Sequence, residues 1–576
     1  MNAERLIALY EQVAEAPDAV SRLRRFVLDL AVRGKLVAQD PADEPASELL
    51  KRIAAEKARL VKAGEIRKPR DLASGEDLQS PFNIPATWRW CRLDTVGAII
   101  GGGTPSAGDP ENFAEPGDGI PWLTPADLGG YHDLHIERGA RDLTEKGLAS
   151  SSVTMMPAGT VLFTSRAPIG YVAIAANPIS TNQGFKSVVP YIADCSRFIA
   201  LAMQTFAPEI DAKAPGTTFK EVSGKIVAGV PFPLPPLAEQ RRIVAKVEEL
   251  MALMDRLEAA RTAREATRDR LTAASLARLT ASDADPAEFP ANARFALATL
   301  PALTTRPDQI KPLRQTILNL AVRGKLVEQD LGDETVSSAV EIIRSDMRGT
   351  KKQSAKPDMT LVDFSIPSHW VWQSLDAILT YGPQNGLSPR KSERTDAPKA
   401  ITLTATTSGK FDDRQFKHVE VSFSEAAHYW LEPGDLLFQR GNTREYVGMA
   451  AIYDGPREEF LFPDLIMRVK TSPHVNIRFV HLWCIAPFAR NFLGSNATGA
   501  QQTMPKINQG ILRSLPVALP PLAEQHRIVA KVDALMALCD RLEAALATAD
   551  TTRARLLEAL LHEALDAGAR KLEAAE

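Results

Sequence analysis

The feature that most restricts how this 576-residue chain can fold is that it writes long stretches of itself twice. "LRRFVLDLAVRGKLV" at 23–37 returns as "LRQTILNLAVRGKLV" at 313–327. "PPLAEQRRIVAKVEELMALMDRLEAA" at 235–260 returns as "PPLAEQHRIVAKVDALMALCDRLEAA" at 520–545, with four differences in 26 positions. A shorter pair, "FNIPATWRW" (82–90) and "FSIPSHWVW" (364–372), opens the stretch that follows the first motif in each copy. The offsets of the two long pairs, 290 and 285, are nearly equal, so whole units are duplicated rather than isolated motifs. A chain of this length exceeds one hydrophobic core, and the duplication says where to divide it.

After "PLPPLAEQ" (233–240) and "ALPPLAEQ" (518–525), prolines give way to helical periodicity, as expected where proline precedes or occupies a first helical turn. Ile243, Val247, Leu250, Met254 and Leu257 step by four and three, the spacing of a coiled-coil seam. The second copy runs Ile528, Val532, Leu535, Cys539, Leu542 and Leu546, then Leu556 and Leu560. A helix of about forty residues spans roughly 60 Å and cannot bury such a stripe alone. Its expected partner is its own duplicate, packed antiparallel about an internal pseudo-two-fold axis; the alternative is that each stripe packs on its neighbouring block.

The blocks between the repeats differ in kind. "TMMPAGTVLFTSRAPIGYVAIA" (154–175) and "YWLEPGDLLFQRGNTREYVGMAAI" (429–452) share a turn, an apolar strand, a basic polar loop and another strand, and otherwise diverge. The expected fold class is therefore α/β (α+β) and multidomain: two globular domains separated by duplicated long helices. Polar loop-like stretches at 62–81, 281–292 and 348–358 mark boundaries. The expected division is a helical repeat region 1–80, a first domain 81–235, and a central helical region 236–362 containing helices over 237–280 and 294–347. A second domain, 363–519, and a C-terminal helix, 520–576, complete it.

No enzymatic signature stands out. "IIGGGTPSAGD" (99–109) is glycine-rich but lacks the lysine of a phosphate-binding loop. Neither an Asn/Asp-Pro-Pro-aromatic methyltransferase tetrapeptide nor a helicase or nuclease motif is evident. Cys91, Cys195, Cys484 and Cys539 are far apart and form no C-x-x-C pair, against zinc and against a disulfide framework. The expectation is no catalytic residue, no metal and no cofactor. Without a run of about 18 apolar residues or a signal-like N-terminus, the expected location is the cytoplasm and no membrane partner. The net charge of −3 speaks neither for nor against nucleic acid.

Taken together, "LAVRGKLV-x-QD", "IP-x-x-W-x-W", "PLPPLAEQ-x-RIV" and "TTFKEVSG" (217–224), with "QTMPKINQG" (502–510) in the second copy, resemble the specificity subunit of type I restriction-modification systems. The resemblance covers nearly the whole chain. It implies a non-catalytic subunit whose two target-recognition domains each read one half of a split, asymmetric double-stranded DNA target. It also implies helical repeats that dock two adenine-N6 methyltransferase (modification) subunits, and through them the ATP-dependent restriction subunits. The competing reading is a coiled-coil adaptor with duplicated protein-binding modules and no DNA role.

Base edges are read by Arg, Lys, Asn and Gln on loops, with Ser and Thr in support. In the first domain the candidates are Thr104, Ser106, Arg166, Asn182, Gln183, Lys186, Thr217, Thr218 and Lys220. In the second they are Gln384, Asn385, Arg390, Gln439, Arg440, Asn442, Arg444, Gln501 and Lys506. Trp88/Trp90 and Trp370/Trp372 recur at each domain's start and read as structural anchors rather than base-stacking groups. Arg33-Gly34-Lys35 and Arg323-Gly324-Lys325 read as helix-ending turns rather than phosphate contacts.

Overall fold

The computed structural model describes residues 15–66, 80–131, 133–166, 168–215, 220–281, 286–330, 332–346, 354–499 and 504–573. They fall into two compact units, Met1–Ala263 with Asp550–Glu576, and Arg264–Ala549.

In the first unit, helices Ala19–Val32 and Ala46–Lys62 lead into a domain of two sheets. The larger sheet orders its strands Gly97–Gly101, Lys186–Pro190, Val161–Ser165, Ile169–Ala175 and His135–Ile136. Val161–Ser165 is buried at every position, as a central strand requires, and the helix Ser196–Ala212 covers the same core with Phe198, Ile199 and Phe206. The smaller sheet joins Phe113–Ala114, Arg141–Leu143, Ile120–Leu123 and Ser180–Thr181. Strand Arg89–Arg92 pairs antiparallel with Pro231–Leu234, so the block's beginning and end meet.

The second unit follows the same plan with different text. One sheet orders Leu379–Asn385, Ile466–Thr471, Leu436–Gln439 and Ala450–Ile452; the other orders Arg390–Lys391, Phe416–Glu420, Lys399–Ile401 and Phe460–Leu461. Val371–Ser374 pairs with Pro516–Leu519 to close the block, in the place of the first unit's closing pair.

The three repeated motifs converge on one joint in each unit. Gly34 has φ +67°, and a Cβ there would lie 2.5 Å from Pro85 Cγ, so only glycine lets the helix-ending turn touch the "IP-x-x-W" segment. The Trp88 indole N–H donates to the Glu239 carboxylate at 2.9 Å, and the Gln39 amide donates to its other oxygen at 2.6 Å. Arg242 pairs with Asp43 at 2.6 Å. In the second unit Gly324 again has φ +67° and faces Pro367 and Trp370. Trp370 donates to Glu524 at 3.0 Å, and Arg527 pairs with Asp333 at 2.6 Å. The copies differ in one detail: His369 Nε2 lies 2.9 Å from Glu524, while Gln329 turns to the Gly324 carbonyl. The glutamate of each "PPLAEQ" is thus buried beneath a tryptophan: Glu239 also takes the Gln39 amide and so ties the three motifs together, whereas Glu524 is bonded to Trp370 and His369 within "FSIPSHWVW". Trp88 and Trp370 are anchors, as expected from their recurrence.

The basic residues of "RGK" are engaged within the fold. Arg33 stacks on Phe82 and Arg323 on Phe364, at 4.6 and 4.5 Å from the ring centroids. Lys35 donates to the carbonyl of Leu565, and Arg323 to that of Thr280 at 2.5 Å, so each turn supplies cations to carbonyls in or near the final turns of a long helix.

Those helices are Leu237–Thr280 and Leu522–Glu573, 44 and 52 residues long. The first starts in the first unit and ends in the second; the other starts in the second and ends in the first. Their stripes are used piecewise. Ile243, Val247 and Met254 pack into the first domain's core with Trp88 and Phe198, and Ile528, Val529 and Val532 do the same in the second. The alternative of packing on the neighbouring block therefore holds for the opening turns. Farther along, Leu557, Leu560 and Leu561 pack with Ala16 and Ala19 in the first unit, and Leu276 and Leu279 with Ala296 and Leu320 in the second.

Candidate nucleic-acid interface

At one end of the first domain's large sheet, four loop segments are tied together by their backbones. Gly103 N–H donates to Thr181 O at 2.9 Å, Ser165 N–H to Gly184 O at 2.7 Å, and Val222 N–H to Ser165 O at 2.9 Å. A Cβ at Gly102 would collide with the carbonyls of Thr181 and Asn182, which is why "GGG" stands there. This junction gathers Thr104, Asn182, Gln183, Lys186 and Arg166. Thr104 hydroxyl meets the Gln183 carbonyl oxygen, and Asn182 caps its own turn by accepting from Gly184 N–H at 2.8 Å. Lys186 Nζ reaches Gln183 O at 3.2 Å and Glu221 at 3.5 Å, and Arg166 approaches the same carboxylate at 4.0 Å. Ser106 is exposed on the adjoining loop, and Lys220 pairs with Asp211 at 3.2 Å. Thr217 and Thr218 lie outside the described residues.

The second domain builds the corresponding junction. Arg440 N–H donates to Leu465 O at 2.7 Å and Ile507 N–H to Arg440 O at 2.8 Å, repeating the two bonds made by Ser165. The bridge Gly441–Lys506 matches Arg166–Glu221. Gly386 N–H donates to Ile466 O at 3.2 Å and Leu387 N–H to Phe462 O at 3.0 Å, bringing in the loop of Gln384 and Asn385. Asn442 donates to the Gln439 carbonyl oxygen at 2.6 Å. Arg440 reaches Asp464 at 3.4 Å, while Lys506 and Arg444 are exposed. Arg390 is exposed on the second sheet, opposite Glu420, apart from these bonded segments. Gln501 lies outside the described residues.

Two candidates are committed to the fold. Gln439 is fully buried, and its amide donates to Leu403 O, Thr406 and Thr407 between 2.8 and 3.1 Å; it organises the loop from beneath and cannot face a base in this arrangement. The strand Leu436–Gln439 is buried at every position, where alternation would have left one face out. Gln384 accepts from Arg468 at 2.6 Å and from the Tyr381 hydroxyl at 3.0 Å, so its carbonyl is already occupied. Arg468 is itself buried, bonded to Trp430 O and His428 O and stacked on Tyr381 and Phe462. Asn385 differs: its side-chain oxygen is buried and has no partner among the described residues. Sequence reasoning missed Ser165, Glu221, Asp464 and Arg468. Acids are not hydrogen-bond donors to base edges, so residue type alone did not mark them, although Glu221 stands within "TTFKEVSG".

Cys91, Cys195, Cys484 and Cys539 are buried free thiols, and burial pushes Cys195 up to about 11 and Cys91 and Cys484 higher still. Among the described residues, no cluster of three or more His, Cys, Asp or Glu is placed to hold a metal ion, and no helix is long and apolar enough to cross a membrane.

The two-fold repetition of the chain is mirrored in the comparisons with known proteins. The family described as type I restriction modification DNA specificity domain matches residues 85–264 and again 367–549, more than half of the chain. The chain belongs to that family. As a specificity subunit it has two target-recognition domains, one in each matched stretch. It is similar to the type I restriction enzyme EcoEI specificity subunit of Escherichia coli, 28% identical over 571 residues, covering 95% of this chain and 94% of that one. The MjaIX specificity subunit of Methanocaldococcus jannaschii is 40% identical over 162 residues, covering 28% of this chain and 37% of that one. Among solved structures, the HsdS subunit from Thermoanaerobacter tengcongensis matches with 18% identity and a TM-score of 0.41, covering 84% of this chain and 98% of that one.

Proposed function

We propose that this specificity subunit reads a split, asymmetric DNA target, one half through each junction, and has no catalytic activity of its own. The observation that carries the reading is the contrast between joint and junction. The joint repeats its glycine turn, tryptophan, glutamate and Arg–Asp pair, whereas the matched junction positions carry Ser165 and Arg440, Glu221 and Lys506, and Gln183 and Asp464. Two unlike faces on one repeated frame suit a bipartite target that is not a palindrome. Arg166, Asn182, Gln183, Lys186, Asn385, Arg440, Asn442, Arg444 and Lys506 are the proposed base- and phosphate-facing groups, with Thr104 and Ser106 beside them.

The repeated helices offer two equal faces, suited to docking two methyltransferase subunits, which in turn recruit the ATP-dependent restriction subunits. Domains at 81–235 and 363–519 and a cytoplasmic location complete the proposal. Phosphate contacts supply most of the affinity in such complexes, so a reader whose partners grip the backbone need not be basic itself. The test is to map adenine methylation genome-wide in cells with and without this chain. One split motif should vanish on deletion; an unchanged methylation map in cells that express the methyltransferase rules the reading out.

A further inference from the structure

The reading faces hold acids as well as bases, and the acids are placed by the backbone. Glu221 follows from the bridge to Arg166 and the bond from Val222 N–H to Ser165 O. Asp464 is fixed by its own N–H, which donates to Leu387 O at 2.7 Å. Glu221 faces Lys186 and Arg166 at 3.5 and 4.0 Å, and Asp464 faces Arg440 at 3.4 Å. We propose that Glu221 and Asp464 are specificity-determining residues that neutralise the cations of their own reading face until a matching base edge replaces them. The proposal rests on the junctions being the DNA-reading faces.

Three observations support it. These pairs are longer than the 2.7–2.9 Å of a tight charged hydrogen bond, and the acids are 47% and 42% exposed, so the contacts are weak enough for DNA to displace. Folding does not require an acid at either place, because the matched positions in the other domain hold Lys506 and Gln183. The exchange is also chemically even at a target. Guanine presents O6 and N7 to an arginine as a carboxylate presents its two oxygens, so Arg166 or Arg440 can pass from one to the other without losing a partner. At a non-target sequence only phosphate is offered, and the nearby carboxylate repels it. The acid therefore subtracts from sequence-independent attraction more than from target binding.

The test uses the full chain and a pool of random-sequence 40-base-pair duplexes, titrated across salt concentrations, with the bound fraction sequenced. Glu221→Gln is expected to bind the pool about five- to tenfold tighter near 0.1 M salt, with a slope of log affinity against log salt steeper by about one to two. The sequences it retains should be less enriched for the half-site. Asp464→Asn should do the same for the other half-site, and Glu221→Lys should go further than Glu221→Gln. In an Arg166→Ala/Lys186→Ala background, Glu221→Gln should leave half-site enrichment unchanged and raise pool affinity by less than it does in the parent, because only the direct repulsion of phosphate is then relieved. If the parent binds the pool with a normal salt dependence and Glu221→Gln and Glu221→Lys match it in affinity, slope and enrichment, the latch is refuted while the DNA reading stands. If neither parent nor variants bind DNA at any salt, alone or with the methyltransferase, the DNA reading itself fails.

Discussion

Glu239 shows how one residue can explain a repeat. Its carboxylate is buried, burial raises its pKa above the ordinary range, and its side-chain partners Trp88 and Gln39 sit in the two other duplicated motifs. Trp88→Phe keeps an aromatic ring but loses the pyrrole half of the indole with its N–H, leaving a small void and a buried acceptor short of a donor. The expected cost is about 1–3 kcal/mol in urea unfolding. Gly34→Ala should cost a similar amount, about 1–3 kcal/mol, because the new Cβ meets Pro85 and the backbone stays left-handed. Asp43 and Asp333 have the opposite electrostatic character to Glu239. The guanidinium of Arg242 or Arg527 holds each below the usual carboxylate range. Such a pair contributes stability above pH 4 or so and loses it as the pH falls through the depressed folded value. Asp43→Asn should therefore lower stability by about 1 kcal/mol at pH 7, with the gap from the parent closing in melts as the pH falls below the ordinary carboxylate range. A gap independent of pH would mean that packing, not charge, sets the role of Asp43.

At the level of elements, the long helices were legible in the sequence as helices, but the use of their stripes was not. A four-three spacing states that one face is buried and leaves the burying surface open. Ile243 and Ile528 are covered by their own domains, and Leu557 and Leu560 by the helix at Ala19. The stripe predicts equal weight for Leu542 and Leu560, yet Leu542 is 39% exposed and Leu560 only 3%. Leu560→Ala should cost about 2–4 kcal/mol and Leu542→Ala less than about 0.5, compared by thermal unfolding of the full chain. The junction loops were half legible for a similar reason. Residue type singled out Arg166, Lys186 and Asn442, which the fold gathers at the junctions, because donors on polar loops are visible in a string. It misplaced Gln439, whose burial depends on Thr406 and Thr407 more than thirty residues away. Glu221 was invisible as a partner of Lys186 until the sheet brought position 221 beside 186.

For the whole molecule, the decisive point is where the variable text is cut from the constant text. The closing pairs, Arg89–Arg92 with Pro231–Leu234 and Val371–Ser374 with Pro516–Leu519, bring both ends of each block to one place beside the joint. A foreign block can therefore be grafted at 81–235 without altering Gly34, Gln39, Asp43, Glu239 or Arg242, provided it brings its own "IP-x-x-W" segment. Pro85 and Trp88 belong to the block, while the turn and carboxylate that receive them belong to the frame. Exchange of residues 81–235 for the matching block of another family member should change one half of the methylated motif and leave the other half intact, read by genome-wide methylation sequencing. The same graft carrying Trp88→Ala should lose methylation at every sequence, because its defect is in the joint rather than in the reading face. A graft that altered both halves of the motif, or a Trp88→Ala graft that kept full methylation with a new motif, would show that frame and reader are not separable in the way the duplicated joint implies.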